Sequence, residues 1–382
     1  MRRGVLIVLA LAVLGTLIGV PAAQAVPAND DFANANTIVN LDHADTLGAE
    51  GATTEPGELP FSCRPTGVGA TVWWKFTPAQ RVSVKANTYQ SSYDTVLDLY
   101  HHNGSGLPAA EDEIACNDNV ATQKASRVTH ILEGGETYYF RVGSKSVNPV
   151  TLKFRVKVRR TKVGITRGND WFLNDLYDGT ADSVFEYGVA SDRKLAGAWG
   201  GSGVDTPWVR RGNLWLLNDW FDASFTKQFQ YGASTDYPLA GDWNGDGILT
   251  PGIKRGNVYY LNNGFDGNAD VVFAYGSSSD FPLAGDWDGD GDWTIGIRRG
   301  NVWFVNNDLD STHNVTPFAY GSSTDFPLVG DWDGDGDMTP GVRRGNVWYL
   351  NNDFNPTHDI PAFAFGSKTD RPIVGDWNGI VE

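Results

Sequence analysis

Three stretches of this chain set oxygen-bearing side chains at alternate positions and follow them with glycine: DWNGDGILT (242–250), DWDGDGDWT (286–294) and DWDGDGDMT (331–339). Carboxylates crowded in this way repel one another unless a cation neutralises them. A hard cation such as Ca²⁺ takes six to eight oxygens at about 2.3–2.6 Å, and alternate residues of a tight turn can all point inward at it. The candidate ligands at positions 1, 3 and 5 are Asp242, Asn244 and Asp246, then Asp286, Asp288 and Asp290, then Asp331, Asp333 and Asp335. Position 7 normally offers its backbone carbonyl, which brings in Asp292 and Asp337 without their carboxylates. Position 9 brings in Thr250, Thr294 and Thr339, by hydroxyl or through a water. Glycine at position 6 permits the sharp bend. Position 12 is Ile253, Ile297 and Val342 rather than a bidentate Glu, and no helix flanks the loops, so these are not EF-hands. A related loop at Ala198-Trp199-Gly200-Gly201-Ser202 has no acidic ligand, and Asp376 and Asn378 form a half-site near the end of the sequence. About three Ca²⁺ sites are expected.

The elements that must hold these loops are repeated. Arg-Gly-Asn recurs at 167–169, 211–213, 255–257, 299–301 and 344–346, at intervals of 44, 44, 44 and 45 residues. Trp199, Trp243, Trp287, Trp332 and Trp377 keep the same period. Within one copy every local signal is β. NVWFVNN (301–307) is aromatic and β-branched and ends in a turn, and TPFAYGS (316–322) alternates by two. Four short strands per copy match the size of a propeller blade, so residues 159–382 predict about five four-stranded blades, with an open stack of hairpins as the alternative. The chain reads as a circle cut inside its fifth acidic loop. On that reading each blade is whole, and no terminal strand completes another.

The first half lacks this period. Segments 71–78, 82–88, 94–102, 126–132, 137–143 and 150–158 read as strands punctuated by Gly, Ser, Asn and Pro, which indicates a β-sandwich over 26–158. The fold class is therefore all-β. Cys63 and Cys116 are the only cysteines, and in an oxidising compartment they are expected to pair.

Two resemblances follow from these residues. The GDWDGDG loops between short strands resemble FG-GAP or VCBS-type repeats, which implies β-propeller or hairpin-repeat structure with Ca²⁺ in the acidic loop. Threonine at position 9 departs from the aspartate usual there. NDDFANA (29–35), VWWKFTP (72–78), YDTVLDLY (93–100), ACNDN (115–119) and YYFRVG (138–143) resemble the bacterial pre-peptidase C-terminal domain. That resemblance implies an accessory β-sandwich of secreted proteins. Related modules hold Ca²⁺, so Asn29, Asp30 and Asp31 with Asp118 form an additional candidate site.

Arg2 and Arg3, the apolar run Val5 to Val20 and Ala23-Gln24-Ala25 read as a secretory signal peptide over 1–25. The expectation is a secreted, extracellular protein with no membrane span after cleavage. The formal charge is −16, which disfavours nucleic acid and anionic membranes and suits cations. No HExxH, G-x-S-x-G or Walker pattern is present, and no catalytic residue is assigned. Trp171, Trp215, Tyr259, Trp303 and Trp348 recur two residues after each Arg-Gly-Asn. Core packing is one reading of this ring, and stacking on sugars is the other. The expected function is a Ca²⁺-stabilised, non-enzymatic binding protein with multivalent recognition of a glycan or another extracellular polymer. The alternatives are an accessory or adhesion module docking on an exported protein, and an unrecognised secreted hydrolase.

Overall fold

The structure is a computed structural model that describes residues 26–119, 124–146, 149–200 and 204–377. The predicted signal peptide and Asn378 lie outside the described residues. Apart from two short 3₁₀ turns, Phe32–Asn34 and Ala110–Asp112, every element among the described residues is a strand.

The six strands predicted in the first half are all present, joined by Asn36–Thr37, His43–Gly48 and Glu113–Asn117. They form two sheets. One runs in the order Asn36–Thr37, Gly69–Phe76, Tyr138–Ser144, Thr95–His101, Glu113–Asn117, and the other His43–Gly48, Thr151–Val158, Val82–Asn87, Arg127–Leu132. Alternate residues of each sheet face the other, as period-two strands must. Val72, Trp74, Leu97 and Phe140 thus meet Val84, Leu152, Phe154 and Val156 in one buried core. This is a β-sandwich. Cys63 and Cys116 are bonded across a separation of 53 residues. The chain-entropy account of such a cross-link gives about 4 kcal/mol. Reduction should therefore lower the sandwich's denaturation midpoint and affect the repeat half less, only through the contacts between them, which separate probes of the two halves would resolve.

The second half builds five four-stranded antiparallel sheets from Lys162 to Gly375, none closed into a barrel. Their first strands are Arg193–Gly197, Tyr237–Gly241, Phe281–Gly285, Phe326–Gly330 and Arg371–Gly375, and these touch one another in cyclic order. The expectation that each copy stands whole is corrected here. Arg371–Gly375 pairs antiparallel with Lys162–Arg167, from Lys162↔Gly375 to Thr166↔Arg371, so the last strand completes the first sheet. The reason lies in the acidic loops. Each joins adjacent strands of one sheet, as 286–293 joins Phe281–Gly285 to Thr294–Arg299. A cut inside such a loop therefore divides a sheet.

Trp243, Trp287, Trp332 and Trp377 are buried between neighbouring sheets; Trp332, for example, packs with Val163 and Ile165 of the first sheet and Leu328 and Leu350 of the fifth. Trp199, in the loop without acids, is only half-buried. The Arg-Gly-Asn arginines clamp the opposite end of each sheet. Nε and Nη2 of Arg167, Arg255, Arg299 and Arg344 bind both oxygens of Asp370, Asp236, Asp280 and Asp325 at 2.7–2.9 Å. Arg211 does the same with Asp192. The Arg299 guanidinium holds the Asp280 carboxyl below its ordinary range, partly offset by burial.

Candidate metal centre in the acidic loops

The loops fold by hydrogen bonding onto their own first aspartate. Asp242 accepts the N–H groups of Asp246 and Gly247 at 3.1 and 2.7 Å, and Asp331 accepts those of Gly334 and Gly336 at 2.6 and 3.1 Å. This curl needs left-handed backbone at positions 4 and 6. Gly289 and Gly291 supply it at φ of 69° and 103°.

The curl gathers the acids. One carboxylate oxygen from each of Asp286, Asp288 and Asp290 lies within 4.8 Å of the others, and Asp331, Asp333 and Asp335 do the same. Oxygens at about 2.3–2.6 Å from a common ion lie at most about 4.6–5.2 Å apart, so this spacing is compatible with one shared ion. Oδ1 of Asp286 is buried without a hydrogen-bond donor. A carboxylate oxygen left so is costly unless a cation answers it. The residues therefore fit a hard cation. Asn244 donates from Nδ2 to Asp246 at 3.0 Å, so the third loop has two acids and an amide.

Electrostatics point the same way. Burial first, then the charges of Asp335 and Asp333, push the Asp331 carboxyl up to about 8. Burial, with Asp290 adding, pushes Asp286 up to about 7, and burial raises Asp242 and Asp335 to about 6. A group whose folded pKa is raised stabilises the fold most below its unfolded pKa of about 3.9, and that contribution is lost as pH rises through the folded value. The metal-free protein should therefore lose stability between about pH 4 and pH 8. With Ca²⁺ the ion takes the protons' place, and the loss should shrink. Melting curves with chelator and with Ca²⁺ across that range check this; two parallel pH profiles would exclude the loops as its source.

Several predicted ligands stand elsewhere. Thr250, Thr294 and Thr339 begin the next strand and turn their hydroxyls to backbone carbonyls. Thr294 donates to Asn306 at 2.5 Å, Thr339 to Asn351 at 2.7 Å, and Thr250 to Gly241 at 3.3 Å. The Asp292 and Asp337 side chains leave their own loops. Each carboxylate lies against the position-4 glycine of the preceding loop, Gly245 and Gly289 respectively, and Asp337 also pairs with Arg81. Among the described residues Asp376 belongs to no acid triplet, and Asn378, its predicted partner, lies outside them. Oδ2 of Asp376 receives Arg159 Nε at 3.1 Å and Lys85 Nζ at 3.3 Å, cations supplied by the chain itself. In the sandwich, Asn29 donates to Trp73, Asp30 accepts from Thr53, and Asp118 pairs with Lys145; among the described residues these acids form no triplet that could share an ion. The ligand ring is also corrected. Trp171, Trp215, Tyr259, Trp303 and Trp348 are fully buried, and the indole N–H groups donate to carbonyls such as that of Tyr187 at 3.1 Å. No face is open to a sugar.

Sequence reasoning missed how the loops are tied together. The residue at position 8 of each loop donates its N–H to position 1 of the loop before: Leu249 to Ala198, Trp293 to Asp242, Met338 to Asp286 and Asp205 to Asp376. Thr161 donates to Asp331 and so serves as position 8 of the divided fifth loop. These bonds close a circle through all five loops. The sandwich rests on this face. Ser83 N–H donates to Gly334 at 2.6 Å, and Arg160 Nε to Asp333 at 2.9 Å. Between sandwich and loops lies a cavity of about 520 Å³ lined by Asp242, Asp286 and Asp331 together with Arg81 and Arg159.

No family model matches the chain, and no curated protein matches it. Among solved structures it is similar to the pre-peptidase C-terminal domain of a collagenase from Bacillus anthracis, at 14% identity over 32% of this chain and 94% of that one, with a TM-score of 0.23. It is also similar to the Tc holotoxin pore of Photorhabdus luminescens, at 11% identity over 84% of this chain, with a TM-score of 0.32. This chain spans 15% of the toxin chain. Among the described residues no helix is long and apolar enough to cross a membrane.

Proposed function

We propose that this chain is an exported, Ca²⁺-stabilised, non-enzymatic binding protein in which a sandwich domain (26–158) docks on a five-bladed β-propeller (159–382). The observation that carries the reading is the pair of aspartate triplets, one of them with a buried carboxylate oxygen that has no donor. Ca²⁺ binds at 286–290 and 331–335, and more weakly at 242–246, where Asn244 must first turn its carbonyl oxygen inward. The disulfide fits an oxidising compartment. The non-enzymatic reading is supported by where the ionisable groups are engaged. The repeat carboxylates hold arginines, and His101 and His102 face Glu136 and Asp112 separately. Ca²⁺ in this role holds the scaffold and does not touch ligand. Recognition of a glycan or another extracellular polymer must then use exposed surface rather than the buried aromatic ring.

The test is retention of the mature full-length protein on insoluble polysaccharides and cell-envelope fractions, with Ca²⁺ and with chelator. Retention that chelator abolishes supports the polymer reading. Absence of retention on every polymer, with a co-purifying exported protein, supports an accessory role instead.

A further inference from the structure

The circle of sheets has a second end. Its first strands run from Arg193, Tyr237, Phe281, Phe326 and Arg371 to the glycines that open the acidic loops. At about 3.3 Å per residue, these starting residues lie roughly 13 Å from the loop end where the sandwich docks. They frame the mouth of a cavity of about 450 Å³, walled mainly by Leu, Ala and Pro side chains. Its floor is the row of position-8 residues, including Leu249, Trp293 and Met338, which also lines the cavity beneath the sandwich. A volume of this size lies within the range of small-molecule sites, about 300–1,000 Å³.

The mouth is chemically asymmetric. Tyr237, Phe281 and Phe326 meet edge-to-face, with centroids 5.6 and 5.5 Å apart, and Phe326 is exposed. The remaining two positions are arginines on strands that touch each other across the closure. Arg193 lies over the Tyr237 ring at 6.0 Å. Both arginines are exposed, and among the described residues neither has an ion-pair partner. The Arg-Gly-Asn arginines are all clamped by aspartate, and Arg210, Arg298 and Arg343 donate to backbone carbonyls. Equivalent strands carry aromatics at the same position, so the fold does not require arginine there.

We infer that this mouth binds a small organic carboxylate carried on a ring, the anion held by Arg193 and Arg371 and the ring packed against Tyr237, Phe281 and Phe326. Guanidinium forks match carboxylates in shape and charge, and aromatic edges and faces accept a flat or cyclic body. The chemistry is shared by free aromatic acids and by acidic sugars, and the probes separate them. The site needs no metal in the loops, so its failure is distinct from failure of the Ca²⁺ reading.

Calorimetry on the full mature protein with 2-naphthoate, 2-naphthylmethanol, glucuronate and glucose tests it. At least one acid should bind about tenfold tighter than its neutral counterpart, as expected of a charge-assisted pair. Preference for naphthoate marks an aromatic acid, and preference for glucuronate marks an acidic sugar. The double variant R193F/R371F, which copies the other repeats, should erase that selectivity and leave binding of the neutral counterpart within about twofold. Should it fail to fold, R193Q/R371Q serves the same purpose. Equal affinity for acid and neutral probe in the unaltered protein, or selectivity that survives the folded double variant, overturns the inference.

Discussion

Truncation after Asp370 is expected to abolish cooperative unfolding of the five-sheet half. The segment removed carries the strand Arg371–Gly375, the partner of Lys162–Arg167 in the first sheet. It also carries Ile373 and Trp377, both buried against Trp171, Leu173 and Val209. Asp376, whose carbonyl accepts the Asp205 N–H in the circle of loop-to-loop bonds, goes with it. Removing a buried tryptophan side chain alone costs about 3–5 kcal/mol, and a buried isoleucine about 2–5 kcal/mol. Their sum is comparable with the whole stability of a typical domain, about 5–15 kcal/mol. The milder variant Trp377→Ala should keep the fold and lower the denaturation free energy by about 3–5 kcal/mol. Equilibrium denaturation followed by tryptophan fluorescence checks both, because most tryptophans lie in this half. A truncated chain that unfolds at the same midpoint as the intact one would show that the circle is not closed by this strand.

The second large effect belongs to the loops. At free Ca²⁺ about 100-fold above the dissociation constant, each independent site adds roughly 2.7 kcal/mol, so two filled triplets add about 5 kcal/mol. Asp290→Asn should remove about half of the Ca²⁺-induced shift in midpoint. Asp290→Asn together with Asp335→Asn should remove most of it. Both changes reduce mutual repulsion, so the chelated double variant should be at least as stable as the chelated parent. That opposite sign separates loss of a ligand from damage to the fold. Asp31→Asn, an exposed change of the same charge in the sandwich, should leave the Ca²⁺ shift intact.

Much of this was legible in the residues. The period of Arg-Gly-Asn and Trp marks the repeats, and alternation of aromatics marks their strands. Crowding of Asp286, Asp288 and Asp290 around Gly289 and Gly291 marks the cradle. The Cys63–Cys116 pairing was also legible from the count of cysteines. Other features were not, for physical reasons. A period of two places Trp171 and Trp303 on one face of a strand but does not say whether that face meets solvent or a neighbouring sheet. The pairing of Arg371–Gly375 with Lys162–Arg167 spans the whole repeat region, and no local signal encodes it. His43–Gly48, with the sequence HADTLG, lacks the β-branched run that marks the longer strands and owes its conformation to pairing with Thr151–Val158. Lys85 and Arg159 look like ordinary surface charges within VSVKANT and VRRTK. Only docking of the sandwich carries them to Asp376, where they supply the positive charge that a metal would supply in the complete loops. The fifth loop's missing half was nevertheless present in sequence, since Thr161 holds the place that Trp293 and Met338 hold in theirs.

Cations bound at the aspartate triplets should hold the circle together. Calorimetric titration of Ca²⁺ into chelator-stripped, full-length mature protein near neutral pH tests it most directly. Saturable binding is expected at the two triplets, with a weaker third event at 242–246 and release of protons on binding. One event should be lost in Asp290→Asn and another in Asp335→Asn. Absence of saturable heat, together with the same melting temperature in Ca²⁺ and in chelator, would contradict it.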